Sequence, residues 1–348
     1  MGHTPTHREQ TMIFSTDQKA AIVDAILAAW DTAPNYPHPN AVDFSDAPLS
    51  KLAYLCGTAT AGMRTNENPR AVQNRGIASQ DFGDTLAQAA QTYALRRYQL
   101  SARYLAFVGT VEAANFNAVE VADLSVATSL LQVGELAEVT TGRVTMKNLA
   151  AAQLLSYASN LLFSREIVVN DQVDLIKTTL AALGTAAAST EGRLVYAALS
   201  ANPTLSDGAP VFHSDFGNIQ GAFSDTTLAA GLAALRGGMS GHDDDVSDLE
   251  AAHLVVAAGL EYAARKLIHD AGLSVSVTPT AHLPAGTWYL LPDPDVQPVV
   301  SVIRLKDTKQ PLRLEPFPTP IELDGFTIRA AADLGATMVS RYAVMGQA

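Results

Sequence analysis

Two stretches of the chain bring together the side-chain types that chemistry needs. His213-Ser214-Asp215 sets a nucleophile between a base and an acid. Neighbours in sequence point in different directions, however, whereas a catalytic triad is assembled in space from separated segments. Ser214 also lacks the G-x-S-x-G elbow that would expose it. The second stretch, His242-Asp243-Asp244-Asp245 with Asp248 and Glu250, offers oxygen ligands to a divalent cation. It has neither the alternate ligand spacing nor the turn glycine of an EF-hand loop, and it reads first as a solvated acidic loop. If the chain were an enzyme, it would be a monomeric metal-dependent hydrolase using His213 and the 242–245 loop. Against that stands the absence of H-E-x-x-H, of G-x-x-x-x-G-K-[ST] and of any Cys/His zinc spacing. The expectation is no enzyme, no cofactor and no metal. Cys56 is the only cysteine, so no intrachain disulfide can form, and its apolar helical surroundings make it a packed thiol.

The element that must position the first cluster is a long helix. Val173, Ile176, Leu180, Leu183, Ala187 and Leu194 recur at steps of three, four and seven, which puts them on one helical stripe. Asn170 and Asp171 are suitable caps at its start, and Asn202-Pro203 ends it. A helix from about Asp174 to Ala201 is roughly 40 Å long at ~1.5 Å per residue. Its centre is small (Gly184, Ala186, Ala187, Ala188, Ser189), so other backbone can approach closely.

Around this helix the pattern is mixed. Met1 to Thr11 is polar and reads as a loose arm. Ser15 and Gln18 are spaced as a capping box for a helix whose inner face holds Ile22, Ile26 and Ala29 or Trp30. A proline-rich connector leads to a second helix at Leu49–Cys56. From Tyr104 to Asn170 the residues favour strands, with a mostly polar hairpin at Glu135–Asn148 that needs a partner outside itself. Ser224-Asp225 caps a helix from Thr226 to Arg236 that Gly237-Gly238 ends. Tyr262, Lys266 and His269 ride the helix that follows an apolar strand at His253–Ala257. Strands at Trp288–Leu291, Val299–Leu305 and Leu312–Glu315, with Asp324-Gly325 as a hairpin turn, complete a mainly antiparallel sheet flanked by helices. The class is α+β, in one compact domain with peripheral arms.

Composition narrows the function. Of 348 residues, 48% are hydrophobic and 17% charged, which is a folded chain with little charge to cover a monomer's surface. A formal net charge of −12 argues against a dedicated nucleic-acid binder, because phosphate neutralisation needs clustered Lys and Arg. The amino end lacks the apolar core of a signal peptide and no stretch approaches a membrane span, so a soluble cytoplasmic product is expected.

The ordered motifs resemble the major capsid proteins of tailed phages. Ser164-Arg165-Glu166-Ile167 with Asn170-Asp171 precedes the long helix. After it comes L-x-A-N-P-x-L-S-D-G-x-x-x-F-H-x-D-x-G-N, from Leu199 to Asn218. Ala78-Ser79-Gln80-Asp81-Phe82 lies upstream, although Gln80 breaks the family's contiguous Ser-Asp. Downstream stand Ala252-His253-Leu254-Val255-Val256, Trp288-Tyr289-Leu290, Gly325-Phe326 and Asp333-Leu334-Gly335-Ala336. The order is most similar to Mu-like prophage head subunits and to the capsid half of protease–capsid fusions.

The resemblance implies the Hong Kong ninety-seven fold: an arm with helices (1–103), a peripheral-domain segment (104–123), an extended loop (124–164), the spine helix with peripheral domain (165–213), an axial domain (214–318) and closing peripheral strands (319–348). It implies hexamers and pentamers that close an icosahedral shell around double-stranded DNA in a virion built in the bacterial cytoplasm. The partners are then further copies of the chain, a portal protein, a separate scaffold or decoration protein, and DNA bound without specificity, but no membrane. Glu135, Glu138, Arg143 and Lys147 become contact residues of the extended loop, Lys147 being the one lysine placed for a Lys–Asn cross-link. Val173, Ile176, Leu180, Leu183, Gly184, Ala187 and Leu194 become the packing residues of the spine. An encapsulin-like compartment shell is the alternative with the same fold.

Overall fold

The computed structural model describes residues 16–30, 38–44, 49–61, 68–77, 80–117, 119–123, 147–205, 208–237, 248–306, 308, 310–319 and 324–347. In chain order the elements are α1 (Thr16–Ala29), α2 (Leu49–Ala61), α3 (Pro69–Ile77), α4 (Gln80–Ser101), β1 (Gly109–Ala113), β2 (Val119–Asp123), β3 (Lys147–Ala152), β4 (Leu155–Ser164), α5 (Arg165–Val169), α6 (Val173–Ala201), β5 (Ile219–Gln220), α7 (Asp225–Gly237), β6 (Ala251–Ala257), α8 (Glu261–Asp270), β7 (Ser276–Thr280), β8 (Trp288–Pro292), β9 (Val300–Leu305), β10 (Arg313–Phe317), β11 (Gly325–Met338) and β12 (Val344–Gly346). The class is α+β, as expected. The chain forms two compact units where the sequence led us to expect one. The first takes the chain up to Ser101 with Tyr157–Ala187 and Leu312–Ala332; the second takes Ala102–Ser156, Ala188–Pro311 and the chain from Asp333.

The first unit is built on α4. Ile22, Ile26 and Trp30 of the α1 region follow at steps of four and are buried, while Ala29 is exposed, so Trp30 and not Ala29 completes the inner face. Trp30 meets Tyr93 of α4 edge-on at 5.6 Å between ring centres. Gln91 of α4 uses its side-chain amide as a piece of strand: Nε2 donates to the Leu312 carbonyl (2.6 Å) and Oε1 accepts from the Leu314 N–H (2.5 Å). β10 pairs antiparallel with β11, Arg313 opposite Ala331 through Phe317 opposite Thr327. β4 pairs with β11 as well. Phe163 stacks on Phe326 at 5.1 Å and Phe82 meets Phe326 edge-on at 5.9 Å.

Two local expectations are corrected here. Asp324-Gly325 is no hairpin turn. Gly325 opens β11, and it is glycine because a Cβ would overlap the Phe163 carbonyl oxygen of β4. Asp171 does not cap the helix it precedes, either. Its Oδ1 accepts from the N–H of Leu49, the first residue of α2 (2.7 Å), so it serves an orphan donor from a distant segment.

The second unit holds a sheet in the order β5-β12-β8-β6-β7. Its core is Leu254, Val256, Trp288, Leu290 and Val344, covered by Leu228 and Leu235 of α7 and by Ala264 and Ile268 of α8. A reciprocal cap opens α7: Thr227 N–H donates to Ser224 Oγ (3.2 Å), and Ser224 N–H donates to Thr227 Oγ1 (2.9 Å). β6 runs parallel to β7 because α8 carries the chain back across the sheet, and β12 runs parallel to β5. β1 pairs parallel with β9, and β9 pairs antiparallel with the last four residues of β11. The sheets are therefore mixed, not mainly antiparallel, and among the described residues there are two of five strands, not one. A two-stranded antiparallel ribbon of β2 and β3 accompanies them.

Candidate assembly surfaces

The loop that carries His213 is held by two asparagines. Asn202, in left-handed backbone (φ 44°), donates from Nδ2 to the Phe212 carbonyl (2.9 Å) and accepts at Oδ1 from the Phe212 N–H (2.7 Å). Asn218, fully buried, donates to the Val211 carbonyl (2.8 Å) and accepts from the His213 N–H (3.0 Å). Arg341 closes the arrangement, donating to the carbonyls of Ala209 (2.8 Å) and Pro210 (3.3 Å) with its guanidinium 4.5 Å from the Phe216 ring centre. Every one of these bonds engages backbone, so the asparagines of the motif fix a loop shape.

His213 joins this local work. Its Nδ1 accepts from the Asp215 N–H (3.2 Å), capping the turn Ser214–Phe216, while Ser214 Oγ donates to Asp215 Oδ1 (3.4 Å). The hydroxyl is bonded to an acid and not to the histidine base, the reverse of what nucleophile activation needs. In the acidic stretch, residues 242–245 lie outside the described residues. Asp248 and Glu250 stand 3.5 and 3.4 Å from the Arg236 guanidinium at the end of α7. No group of three or more His, Cys, Asp or Glu suited to a metal ion occurs among the described residues.

α6 begins one residue before the expected start and ends where the proline dictates. Its most deeply buried seam is Ile176, Leu180, Gly184, Ala188, Glu191, Val195 and Leu199, at steps of four and three. Val173, Leu183, Ala187 and Leu194 are half-buried on its flank. At Gly184 a Cβ would overlap the Ala94 carbonyl oxygen of α4 and lie 3.0 Å from Arg97 Cβ. Further along the seam Glu191 is fully buried. Tyr104 Oη donates to its Oε2 (2.6 Å), and Arg304 of β9, itself buried, ion-pairs with Oε1. The sequence reading missed this pair. The signal was present in two places: Glu191 stands at seam spacing, and Arg304 is the one charged residue of the largely buried β9.

Beyond the buried pair, α6 presents Tyr196, whose ring stacks on His282 (5.6 Å) and lies 6.1 Å from Phe107. Burial pushes the Tyr196 hydroxyl above the usual tyrosine range, against the bond to Thr280 and the charge of Arg103. The ring of His253 in β6 also lies 6.4 Å from that of Phe107. Burial holds its imidazole below the usual histidine value, with Asp293 pulling the other way.

Of the residues read as extended-loop contacts, Glu135, Glu138 and Arg143 lie outside the described residues. Lys147 opens β3, its Cα opposite Asp123 of β2. β4, which follows, is ten residues long and exposed along most of its length. Phe163 alone is buried, Tyr157 and Leu161 are half-buried, and Leu155 and Leu162 keep 48% and 47% of their surface.

The profile of the family described as phage capsid protein matches residues 147–344, from the start of β3 into β12, which is more than half of the chain. The chain belongs to the phage capsid protein family. No curated protein matches it significantly in sequence. Among solved structures, the capsid of the cyanophage P-SCSP1u is similar at 12% identity over 71% of this chain and 88% of that one, with a TM-score of 0.48. A virus-like particle from Pyrococcus furiosus is similar at 10% identity over 75% and 99%, TM-score 0.48. The holo-SrpI encapsulin complex from Synechococcus elongatus is similar at 9% identity over 70% and 86%, TM-score 0.45. The assignment rests on the family match, which does not single out the Mu-like subgroup.

For a phage capsid protein the relevant surfaces are those that meet other copies, since the family's role is to associate into a shell. The asparagine-held loop and the Arg236 ion pairs are then parts of the subunit's scaffold. No described helix is long and apolar enough to cross a membrane.

Proposed function

We propose that this phage capsid protein is the major head subunit of a tailed phage or prophage, built on the Hong Kong ninety-seven fold. Hexamers and pentamers of the chain close an icosahedral shell around double-stranded DNA. The observation that carries this reading is the family match, which spans β4, all of α6 and nearly everything after it. Mu-like heads remain the subgroup whose motif order fits. The mechanism is geometric: a modest contact repeated by symmetry over many copies gives a very stable particle. The extended loop is residues 124–164 and the axial domain 214–318, with the spine and closing strands in the peripheral domain. Glu135, Glu138, Arg143 and Lys147 meet the adjacent subunit from that loop. Portal protein, a separate scaffold or decoration protein and non-specifically held DNA are the remaining partners, and assembly takes place in the bacterial cytoplasm. A net charge of −12 suits a wall that encloses DNA without gripping it.

Sedimentation of the protein expressed alone, with negative-stain microscopy of fast species, tests the reading. Shells, tubes or discrete hexamers and pentamers are expected, and a monomer that stays monomeric with its neighbouring head proteins present rejects it. Nuclease-protected DNA in particles from infected cells distinguishes a head from an encapsulin-like shell, which would hold protein cargo. Arg143→Glu is expected to lower particle yield while leaving the subunit's melting temperature unchanged. Unchanged yield would remove that residue from the contact.

A further inference from the structure

Among the described residues β4 differs from the other edge strands of the two five-stranded sheets. β1 carries Glu112; β10 carries Arg313, Glu315 and Pro316; β7 carries Pro279; β5 is two residues long. Charges, prolines and shortness are the means by which proteins stop an edge from recruiting another strand. β4 has none of them. From Asn148 to Ser164 the chain contains no charged residue, no glycine and no proline, in a protein of net charge −12. Among the described residues β4 pairs with β11 alone, and no strand lies on its outer edge.

The sequence of β4 is also self-complementary. In an antiparallel pair related by a two-fold axis, opposed residues share a face, so the axis must pass through a residue position. Centred on Ser159, Tyr157 falls opposite Leu161 and Leu155 opposite Phe163, apolar against apolar at both steps. Centring on Asn160 instead keeps Tyr157 opposite Phe163, but on the face that carries the buried Phe163 it sets Ser159 against Leu161 and leaves Leu155 without a strand partner, since Arg165 already belongs to α5.

We propose that the outer edge of β4 pairs antiparallel with the same edge of a second copy of this chain, about a two-fold axis at Ser159. The proposal rests on the reading of the chain as a self-associating capsid subunit and names the surface by which two copies join. The pairing is isologous, so it links subunits two by two. It satisfies the backbone groups that alternate residues of β4 turn outward, and it sets Leu155, otherwise exposed in each copy, against Phe163.

Disulfide trapping tests this. Opposed Cα atoms in an antiparallel pair are about 4.5–5.5 Å apart, within disulfide reach. In a Cys56→Ala background, Ser159→Cys in assembled particles should convert most chains to a covalent dimer under mild oxidation. Tyr157→Cys should link to Leu161→Cys when the two proteins are co-assembled, and neither should link to itself. Leu162→Lys, an added guard on an exposed side chain, should abolish the Ser159 link while the circular dichroism and melting of the subunit stay unchanged. Particles in which Ser159→Cys links no more than an exposed control at Ser189→Cys would overturn the pairing and leave the shell reading intact. Linked dimers that never grow larger would support the pairing and overturn the shell reading.

Discussion

The two halves of α6 are held by opposite means. In the first unit the helix is packed by a missing side chain: Gly184 receives the Ala94 carbonyl of α4, and Ser101 Oγ lies 3.4 Å from Thr185 Oγ1 beside it. In the second unit it is held by a charge, with Glu191 buried between Tyr104 and Arg304. Close approach of backbone asks only that nothing protrude. A buried carboxylate costs several kcal/mol per ion unless every partner is present. The first half should therefore resist added volume at Gly184, and the second should resist any unpaired charge at Glu191.

Arg304→Met breaks the second half hardest. It leaves the buried Glu191 carboxylate without its guanidinium partner, and a loss of about 3–5 kcal/mol is expected in urea unfolding of the unassembled subunit. Adding Glu191→Met should restore most of that loss, since an apolar replacement of a buried pair is often neutral. A single substitution costing under ~1 kcal/mol would mean that water reaches the carboxylate. Gly184→Leu attacks the first half. Forcing a side chain against the Ala94 carbonyl should cost about 3 kcal/mol. It should also lower the yield of assembled particles, and normal stability would mean that α4 can move away.

These halves were not equally legible. The run around Gly184 announces close packing by composition alone, because small residues at helical spacing have few other uses. Glu191 sits between Thr190 and Gly192-Arg193, at the position four after Ala187 and three before Leu194 that the apolar stripe passes over because its residue is charged. A single charged residue looks solvent-facing until its partner is known, and Arg304 is 113 residues away in sequence. The same distance problem hid the cap from Asp171 to Leu49 and the need for glycine at 325. Parallel pairing of β6 with β7 depends on a crossover direction that hydropathy does not encode. The motif from Asn202 to Asn218 was legible as a pattern, whereas its cause, two side-chain amides holding backbone, appears only in three dimensions.

Tyr104→Phe sharpens the comparison more gently. It removes one donor from Glu191 while the ion pair remains, so about 1.5 kcal/mol is expected, the low end for a hydrogen bond to a charged group. The smallest effect should be one of pH. Near the second half of α6, Phe107 lies 6.1 Å from Tyr196 and 6.4 Å from His253, and the buried Nδ1 of His253 has no hydrogen-bond partner among the described residues. Its folded pKa lies below the ordinary 6.5. As pH falls through 6.5 the unfolded chain takes up this proton first, so stability present above that value is lost between it and the lower folded pKa. Melting temperature should fall from about pH 7 to about pH 5, and less steeply in His253→Gln. Gly184→Leu, which touches no titrating group, should shift that whole curve downward at unchanged slope. An altered slope in Gly184→Leu would mean that volume at one half of the helix is felt as charge at the other, and the two means of holding α6 would not be independent.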